Sequence, residues 1–173
     1  EAVMAPVAQR MIELKKSGVT GLKGLVISPT RALASDLYRR NQDPFQSLGL
    51  RLDVATSDYS SIGNAPSDVL IRTPEGFESE LVKNPSSLSE VKDVVIDEIH
   101  KFLDSPRGTQ LCGELTRFGS IAPEHRRLGL SATVEDTSAP GRSGILRLPS
   151  IIHDPADTGQ NDIRFFDWLE EDN

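Results

Sequence analysis

An uninterrupted apolar run ends at two adjacent carboxylates in the middle of the chain, where residues 94–100 read Val-Val-Ile-Asp-Glu-Ile-His. Strands of a parallel sheet need such runs because both of their faces are covered. Ligands of these sheets bind at the carboxyl ends of the strands, where Asp97 and Glu98 are expected. A magnesium ion that also contacts phosphates needs only one or two protein carboxylates, so the pair suits a magnesium site. The alternative is a strand that runs into an acidic turn.

Three other segments share this design, in which small polar residues or proline follow an apolar strand. They read Gly-Leu-Val-Ile-Ser-Pro-Thr-Arg-Ala-Leu at 24–33, Ile-Arg-Thr-Pro-Glu-Gly at 71–76 and Leu-Gly-Leu-Ser-Ala-Thr-Val at 128–134. Pro29 and Pro74 stand where helices should begin, a position at which proline loses no hydrogen bond. The polar residues of all four segments are therefore expected at the carboxyl ends of strands.

Strand and helix patterns alternate along the chain, which predicts parallel connections. Strands are expected at 24–28, 50–55, 69–71, 94–96 and 127–130, and helices at 2–16, 32–41, 74–82 and 109–118. Asp43-Pro44 is expected to end the second helix. The predicted fold class is α/β, a mostly parallel β-sheet flanked by helices.

The segment 135–173 is less informative. Residues 136–144 resemble a flexible linker. Four apolar residues near the end either dock on the core or belong to an exposed surface, and docking is the preferred interpretation. These residues are Phe165, Phe166, Trp168 and Leu169.

The composition excludes several classes of protein. The chain has 173 residues, which is long enough for one domain with a core. With 37% hydrophobic and 26% charged residues, it is too polar for a membrane protein. It has no run of about 20 apolar residues and no secretion signal. A single cysteine, Cys112, excludes an internal disulfide and a Cys-rich zinc site, and it fits a reducing compartment. We therefore expect a cytoplasmic location, or a nuclear one in a eukaryote, and no membrane partner.

The order of the four segments resembles the first RecA-like motor domain of superfamily 2 DEAD/DEAH-type ATP-dependent helicases. Arg107-Gly108, shortly after Asp-Glu-Ile-His, is similar to the large helicase-related branch. The resemblance covers 1–134, and 135–173 would hold the remainder of the domain and an acidic C-terminal tail. It implies ATP and Mg²⁺ as cofactors, single-stranded DNA or RNA as partner, and a second RecA-like domain in the intact protein.

The resemblance also implies roles for the polar residues of the segments 94–100 and 128–134. Asp97 would bind Mg²⁺ through water, and Glu98 would orient or deprotonate the attacking water. His100 would relay the nucleotide state to the hydroxyls of Ser131 and Thr133. The alternatives are that His100 caps the loop after its strand and that the two hydroxyl residues only form a turn.

Nucleic-acid contacts are implied at two helix amino-termini. Thr30 and Arg31 would meet a strand phosphate by helix dipole and charge, and Thr73 and Gly76 would do the same one helix further on. The alternative for Arg31 is a salt bridge to Asp36 or a neighbour, and for Thr73 a simple helix cap. A third contact is common in the family at a Thr-Gly-Asp that touches the nucleic-acid backbone. This chain has Thr56-Ser57-Asp58 at that place, where Ser57 replaces the glycine.

The net charge of −7 is unfavourable for binding a nucleic acid, but it is concentrated at the end of the chain. Residues 154–173 contribute −6, which leaves −1 for the preceding 153 residues. A nearly neutral domain can hold a single strand through helix amino-termini, backbone amides and a few arginines. Without a basic stripe, strong binding by this chain alone is not expected.

The family's phosphate loop, Gly-x-x-x-x-Gly-Lys-Ser/Thr, does not occur in the sequence. The nearest string, Gly21-Leu22-Lys23-Gly24, precedes a strand and is interpreted as a turn, and Gly141-Arg142-Ser143-Gly144 comes too early to be the arginine-finger motif of a second domain. Residues 1–16 look like the helix that follows the phosphate loop in relatives. We therefore expect a piece of a longer helicase that is inactive alone.

Two other function classes are alternatives to a motor domain. A non-catalytic helicase-like scaffold would explain the missing loop, but a pure binder has no physical need for both Asp97 and Glu98. A small GTPase would carry guanine-specifying motifs, which we do not find. The sequence does not distinguish DNA from RNA, since backbone contacts accept both.

Overall fold

The computed structural model describes residues 4–63, 65–131, 144–146, 149–152 and 163–167. In this part of the chain, four helices are interspersed with five strands of a parallel sheet, and two further strands follow. The helices are α1 (Met4–Lys16), α2 (Arg31–Ser47), α3 (Pro74–Lys83) and α4 (Pro106–Ile121). The strands are β1 (Gly24–Ile27), β2 (Leu52–Val54), β3 (Val69–Arg72), β4 (Asp93–Ile96) and β5 (Arg126–Ser131), and short 3-10 helices at Pro85–Leu88 and Ile99–Lys101 flank β4.

The five strands form a parallel sheet in the order β2-β3-β1-β4-β5. The predicted fold class is therefore confirmed. β4, the strand that precedes Asp97, lies between β1 and β5, and Ile96 pairs with Ile27 on one side and Gly129 on the other. The polar residues that follow β1 and β4 consequently leave the sheet side by side.

Two further strands, β6 (Pro149–Ile152) and β7 (Ile163–Asp167), extend the sheet beyond β5. β7 is antiparallel to β5, with Phe165 opposite Gly129. This places the backbone of Phe165 and Phe166 in the sheet, and the docking of their side chains on the core stays a prediction. Trp168, Leu169 and residues 136–143 of the expected linker lie outside the described residues.

Helix α2 differs from the prediction that Asp43-Pro44 ends it, because the helix continues through Pro44 to Ser47. A proline inside a helix removes one backbone hydrogen bond and costs about 3 kcal/mol. Phe45, directly after the proline, is 2% exposed and packs in the core with Leu50 and Leu52. Burial of the Phe45 ring contributes a comparable amount, about 2 to 3 kcal/mol, and so offsets this cost.

Helix α4 also begins earlier than predicted, at Pro106 instead of residue 109. The hydroxyl of Ser105 accepts a hydrogen bond from the amide of Gly108 at 3.1 Å, which is a helix N-cap. Pro106 occupies the first helical position, where its missing N–H is not needed.

The sheet separates two apolar cores, and alternate residues of β1, β3 and β4 point into them. Along β1, Leu25 and Ile27 belong to the core that α3 and α4 cover, whereas Val26 belongs to the core that α1 and α2 cover. All four residues of β1 are buried. Burial on both faces is the physical reason for the continuous apolar runs in the sequence.

The string Gly21-Leu22-Lys23-Gly24 forms a bend before β1, as expected, and Gly21 has a φ of 73°. The buried ammonium of Lys23 donates hydrogen bonds to Asp68 Oδ1 at 2.7 Å and to the carbonyl of Gly21 at 2.8 Å. Lys23 precedes β1 and Asp68 precedes β3, so the pair lies at the amino ends of these strands. It is thus an internal ion pair at the opposite end of the sheet from Asp97.

Glu114 of α4 is a buried acid, with 1% of its surface exposed. Its Oε1 accepts a hydrogen bond from Gln110 at 2.8 Å, and its Oε2 has no hydrogen-bond partner in the described part of the chain. Burial raises the pKa of Glu114 to about 7 from a usual value of 4.5. The folded protein thus holds this proton more tightly than the unfolded chain does.

We expect the substitution Glu114→Gln to stabilise the fold at pH 8 and to matter little at pH 5. The stability that the bound proton provides is complete below pH 4.5 and is lost as the pH rises through about 7. At pH 8 the gain should approach about 3 kcal/mol, since one pKa unit corresponds to about 1.4 kcal/mol. Urea unfolding at both pH values measures it, with the exposed Glu124→Gln as control. An equal effect of Glu114→Gln at pH 5 and pH 8 would refute this account of Glu114.

None of the helices in the described ranges is long and apolar enough to cross a membrane.

Candidate functional site

The candidate site lies at the carboxyl edge of the sheet, where β1, β3 and β4 end in register. Ile27 pairs with Arg72 of β3 and with Ile96 of β4. Beyond these pairs, the amide of Ser28 donates to the carbonyl of Arg72 at 2.8 Å, and the amide of Asp97 donates to the carbonyl of Ile27 at 2.9 Å. The residues that follow the three strands are thus held next to one another.

Asp97 and Glu98 leave this edge together, and both are partly exposed. Glu98 has a φ of 50° and a ψ of 48°, the left-handed region that a side chain with a Cβ rarely adopts. Residues held in such strained conformations cluster at active sites and ligand-binding sites. Burial, and after it the charge of Glu98, raise the pKa of Asp97 above its usual value. A cation beside Asp97 would relieve both effects, so the arrangement favours binding of a positive ion.

The described residues contain no group of three or more His, Cys, Asp or Glu side chains that could hold a metal ion. A magnesium ion at Asp97 would therefore take most of its ligands from water and from a bound phosphate. This fits the chemistry of magnesium, which retains several waters and uses one or two carboxylates where phosphates are present.

His100, in the short helix Ile99–Lys101, joins two of the predicted positions. Its Nδ1 lies 2.7 Å from the hydroxyl of Ser131, the last residue of β5. The same nitrogen lies 3.3 Å from Oε2 of Glu98. The structure therefore brings together His100, Glu98 and Ser131, while Thr133 lies outside the described residues.

Thr30 and Thr73 are the N-caps of α2 and α3. The Thr30 hydroxyl accepts a hydrogen bond from the amide of Leu33 at 3.2 Å, and the Thr73 hydroxyl accepts one from the amide of Gly76 at 3.3 Å. The capping alternative for Thr73 is thus present in the structure. It does not conflict with phosphate binding, because a capped helix still presents N–H groups of its first turn and the positive end of its dipole.

Of the salt bridges expected for Arg31, to Asp36 or to a neighbour, the structure shows one to a neighbour, Asp58. The Arg31 guanidinium contacts the hydroxyl of Ser57 and the carboxylate of Asp58, each at 2.8 Å, while Asp36 pairs with Arg40 one turn along α2. The Arg31 and Asp58 side chains are 57% and 66% exposed. An ion pair in water contributes little free energy, so a phosphate group can compete with Asp58 for Arg31.

An open groove of about 860 Å³ connects the amino-termini of α2 and α3. Thr30, Arg31, Thr73 and Gly76, the four predicted contacts, all line it. Sequence reasoning did not assign four other polar side chains to the groove, because they reach it only through the tertiary fold, although Arg72 and Arg107 lie in segments that carry the resemblance. These are Arg72, Ser79, Lys83 and Arg107.

The family is independently shown by comparison with known proteins. A family model described as DEAD/DEAH box helicase matches residues 1–139. The ATP-dependent helicase Lhr-Core of Sulfolobus acidocaldarius is 38% identical over 127 residues, which are 64% of this chain and 14% of that protein. The ATP-dependent DNA helicase Hel308 of Pyrococcus abyssi is 37% identical over 116 residues, 66% of this chain and 16% of that protein. The chain therefore spans about one seventh of each helicase.

Solved structures agree with the fold. The Mycobacterium smegmatis helicase Lhr, bound to ssDNA and AMP-PNP, superimposes with a TM-score of 0.64 and 28% identity over 72% of this chain and 19% of that one. The DEAD-box helicase Mss116, bound to ssRNA and UDP-BeF, gives a TM-score of 0.67 over 80% of this chain and 31% of that one; at 17% identity it shows the fold alone. From its motif order, its sheet and these matches, the chain belongs to the DEAD/DEAH box helicase family.

Proposed function

We propose that this chain is part of the first motor domain of an ATP-dependent helicase or translocase, which couples ATP hydrolysis to movement along single-stranded DNA or RNA. The observation that carries the proposal is the common location of two sets of groups. The carboxylates of Asp97 and Glu98 and the capped helix N-termini at Thr30 and Thr73 follow neighbouring parallel strands at one edge of the sheet. A parallel sheet brings all its strand ends to one edge, so the support lies in what this edge carries: a carboxylate pair suited to a metal beside helix N-termini suited to phosphate.

The chemistry of this edge suits phosphoryl transfer. Asp97 would hold Mg²⁺ through water, and the metal would neutralise charge on the outer phosphates of ATP. Glu98 is placed one residue further along the same backbone, where it would orient or deprotonate the attacking water. Phosphoryl transfer depends chiefly on such placement of charge, so a rigid edge of a central strand is a suitable support.

The contact between His100 and Ser131 offers a route from the nucleotide to the rest of the motor. His100 lies within reach of both Glu98 and the hydroxyl at the end of β5. A change in charge near Glu98 on hydrolysis would alter which partner His100 prefers. We propose that this exchange signals the nucleotide state to a second RecA-like domain in the intact protein.

The groove would hold one strand of nucleic acid by its backbone. Phosphates would bind at the amino-termini of α2 and α3 and replace Asp58 at Arg31. Contacts of this kind fix the position of a strand and carry no sequence information. Support comes from a relative, since Lhr of Mycobacterium smegmatis is described with ssDNA.

A titration of the ¹⁵N-labelled chain with single-stranded oligo-dT and oligo-rU tests the nucleic-acid part. At low salt we expect the amide signals of Leu33, Ser57 and Gly76 to shift, and the affinity to fall as salt is added, because counterions are released at phosphate contacts. Gly21 and Lys23, at the opposite end of the sheet, serve as internal controls. Shifts confined to that opposite end, or none with either oligonucleotide, would contradict the proposal.

A further inference from the structure

Arg107, in the first turn of α4, contacts the loop before α2 and the first turn of α3, which are far apart in the sequence. Its Nη1 donates to the carbonyl of Pro29 at 2.8 Å, and its Nη2 donates to Oε1 of Glu75 at 2.7 Å. Pro29 directly precedes Thr30, the N-cap of α2, and Glu75 lies two residues after Thr73, the N-cap of α3. A single guanidinium group therefore bridges the two helix amino-termini of the groove.

The backbone of Gly108, the residue after Arg107, packs against the backbone of Phe102. A Cβ added to Gly108 would lie 1.7 Å from the carbonyl oxygen of Phe102, so the two backbones are in direct contact. The hydroxyl of Ser105 donates a hydrogen bond to the same carbonyl at 2.9 Å and accepts one from the amide of Gly108 at 3.1 Å. The amide of Phe102 in turn donates a hydrogen bond to the carbonyl of Ile99 at 2.9 Å. Hydrogen bonds thus connect Gly108, the residue after Arg107, to the turn that directly follows Asp97 and Glu98.

The ion pair between Arg107 and Glu75 cannot be important for its energy alone. The two side chains are 44% and 58% exposed, and salt bridges in water contribute little to stability. What arginine provides is a planar fork with donors in fixed directions, which can bind two acceptors at once. Lysine carries the same charge at a single point and cannot reproduce that geometry. The two contacts of Arg107 can therefore fix the relative positions of Pro29 and Glu75.

We propose that Arg107 is a positioning residue that sets the spacing of the α2 and α3 amino-termini and ties this spacing to the loop of Asp97 and Glu98. The groove would then widen or narrow with the nucleotide state, because any movement of that loop displaces α4 and with it both helix ends. The nucleic-acid half of this inference rests on the proposed function; the geometric half does not.

Arg107→Gln and Arg107→Lys test the inference, with Arg117→Gln as a matched control. Arg117 lies on the same helix, is 52% exposed and pairs with Glu78 of α3 at 3.4 Å, so its loss removes the same charge from the same pair of helices. Three quantities are measured for each variant. They are the melting temperature, the amide shifts of Leu33 and Gly76 without ligand, and the dissociation constant for oligo-dT.

In Arg107→Gln we expect both amide signals to move and oligo-dT to bind about tenfold more weakly, the loss of roughly one hydrogen bond to a charged group. The melting temperature should change little, because the pair is exposed. Arg107→Lys should recover only part of the affinity, since it restores charge without the fork. Arg117→Gln should leave Leu33, Gly76 and the affinity as in the wild type.

Three results would overturn the inference: wild-type affinity in Arg107→Gln, complete recovery in Arg107→Lys, or equal weakening in Arg107→Gln and Arg117→Gln. If the wild type binds no oligonucleotide, the proposed nucleic-acid function of this chain fails instead. The amide shifts then decide the geometric inference, because they need no ligand. Unmoved signals of Leu33 and Gly76 in Arg107→Gln refute it.

Discussion

The substitution Gly108→Ala is expected to destabilise the fold by about 3 kcal/mol or more, near the upper end of what overpacking costs. The new methyl group would lie 1.7 Å from the carbonyl oxygen of Phe102 and 2.7 Å from its carbonyl carbon. Both atoms belong to the backbone, so no side-chain rotation can relieve the contact. Phe102 is also 1% exposed and fixed in the core, which prevents the loop from moving away at low cost.

Gly113→Ala, five residues further along α4, is the matched control. A Cβ added there has no neighbour within 4 Å, so only the helix propensity changes. Alanine should stabilise this position by about 0.5 to 1 kcal/mol relative to glycine. Urea unfolding of both variants measures the contrast. If Gly108→Ala unfolds within about 0.5 kcal/mol of the wild type, the close contact between the start of α4 and the Phe102 loop does not exist.

The second large effect is expected at Glu98, in an enzyme that can hydrolyse ATP. The assay uses a chimera of Lhr-Core from Sulfolobus acidocaldarius in which the segment that matches this chain is replaced by residues 4–131. Glu98→Gln should lower ATP turnover by about 100- to 10,000-fold, the usual contribution of a general base. Binding of Mg²⁺·AMP-PNP should be retained, because Asp97 is unchanged. Glu124→Gln, which removes an exposed carboxylate far along the chain, should turn over ATP like the unmodified chimera.

The sequence predicts the parallel sheet because the signal for it is local. Each buried strand is a short apolar run, and each run is followed by proline or small polar residues that start a helix. The end of α2 could not be predicted in the same way. Pro44 is a local stop signal, whereas the burial of Phe45 against Leu50 and Leu52 depends on the packed core. Tertiary packing outweighed the local preference there.

The candidate site shows the same division between local and distant information. The residues at strand ends were identified from motifs, and the structure places Asp97, Glu98, His100 and Ser131 at one edge. Contacts between distant segments were not predictable. Arg31 meets Asp58 across 27 residues, and Arg107 meets Pro29 across 78. No pattern in a single sequence records which of several acids or carbonyls a surface arginine will reach.

The strand pair β6-β7 had no clear signal either. β7 comprises only five residues, Ile163–Asp167, and pairs with β5 more than thirty residues earlier in the chain. Antiparallel addition at the edge of a parallel sheet is common, but its partner strand cannot be chosen from composition. The extension beyond β5 therefore had to come from the structure.

The most direct test of a nucleotide site at Asp97 and Glu98 is ssDNA-stimulated ATP hydrolysis by the Lhr chimera, compared with its Glu98→Gln variant. The account predicts turnover in the chimera that rises with ssDNA and is nearly abolished by Glu98→Gln. A folded chimera that binds ssDNA but hydrolyses no ATP, or one whose turnover is unaffected by Glu98→Gln, would contradict it.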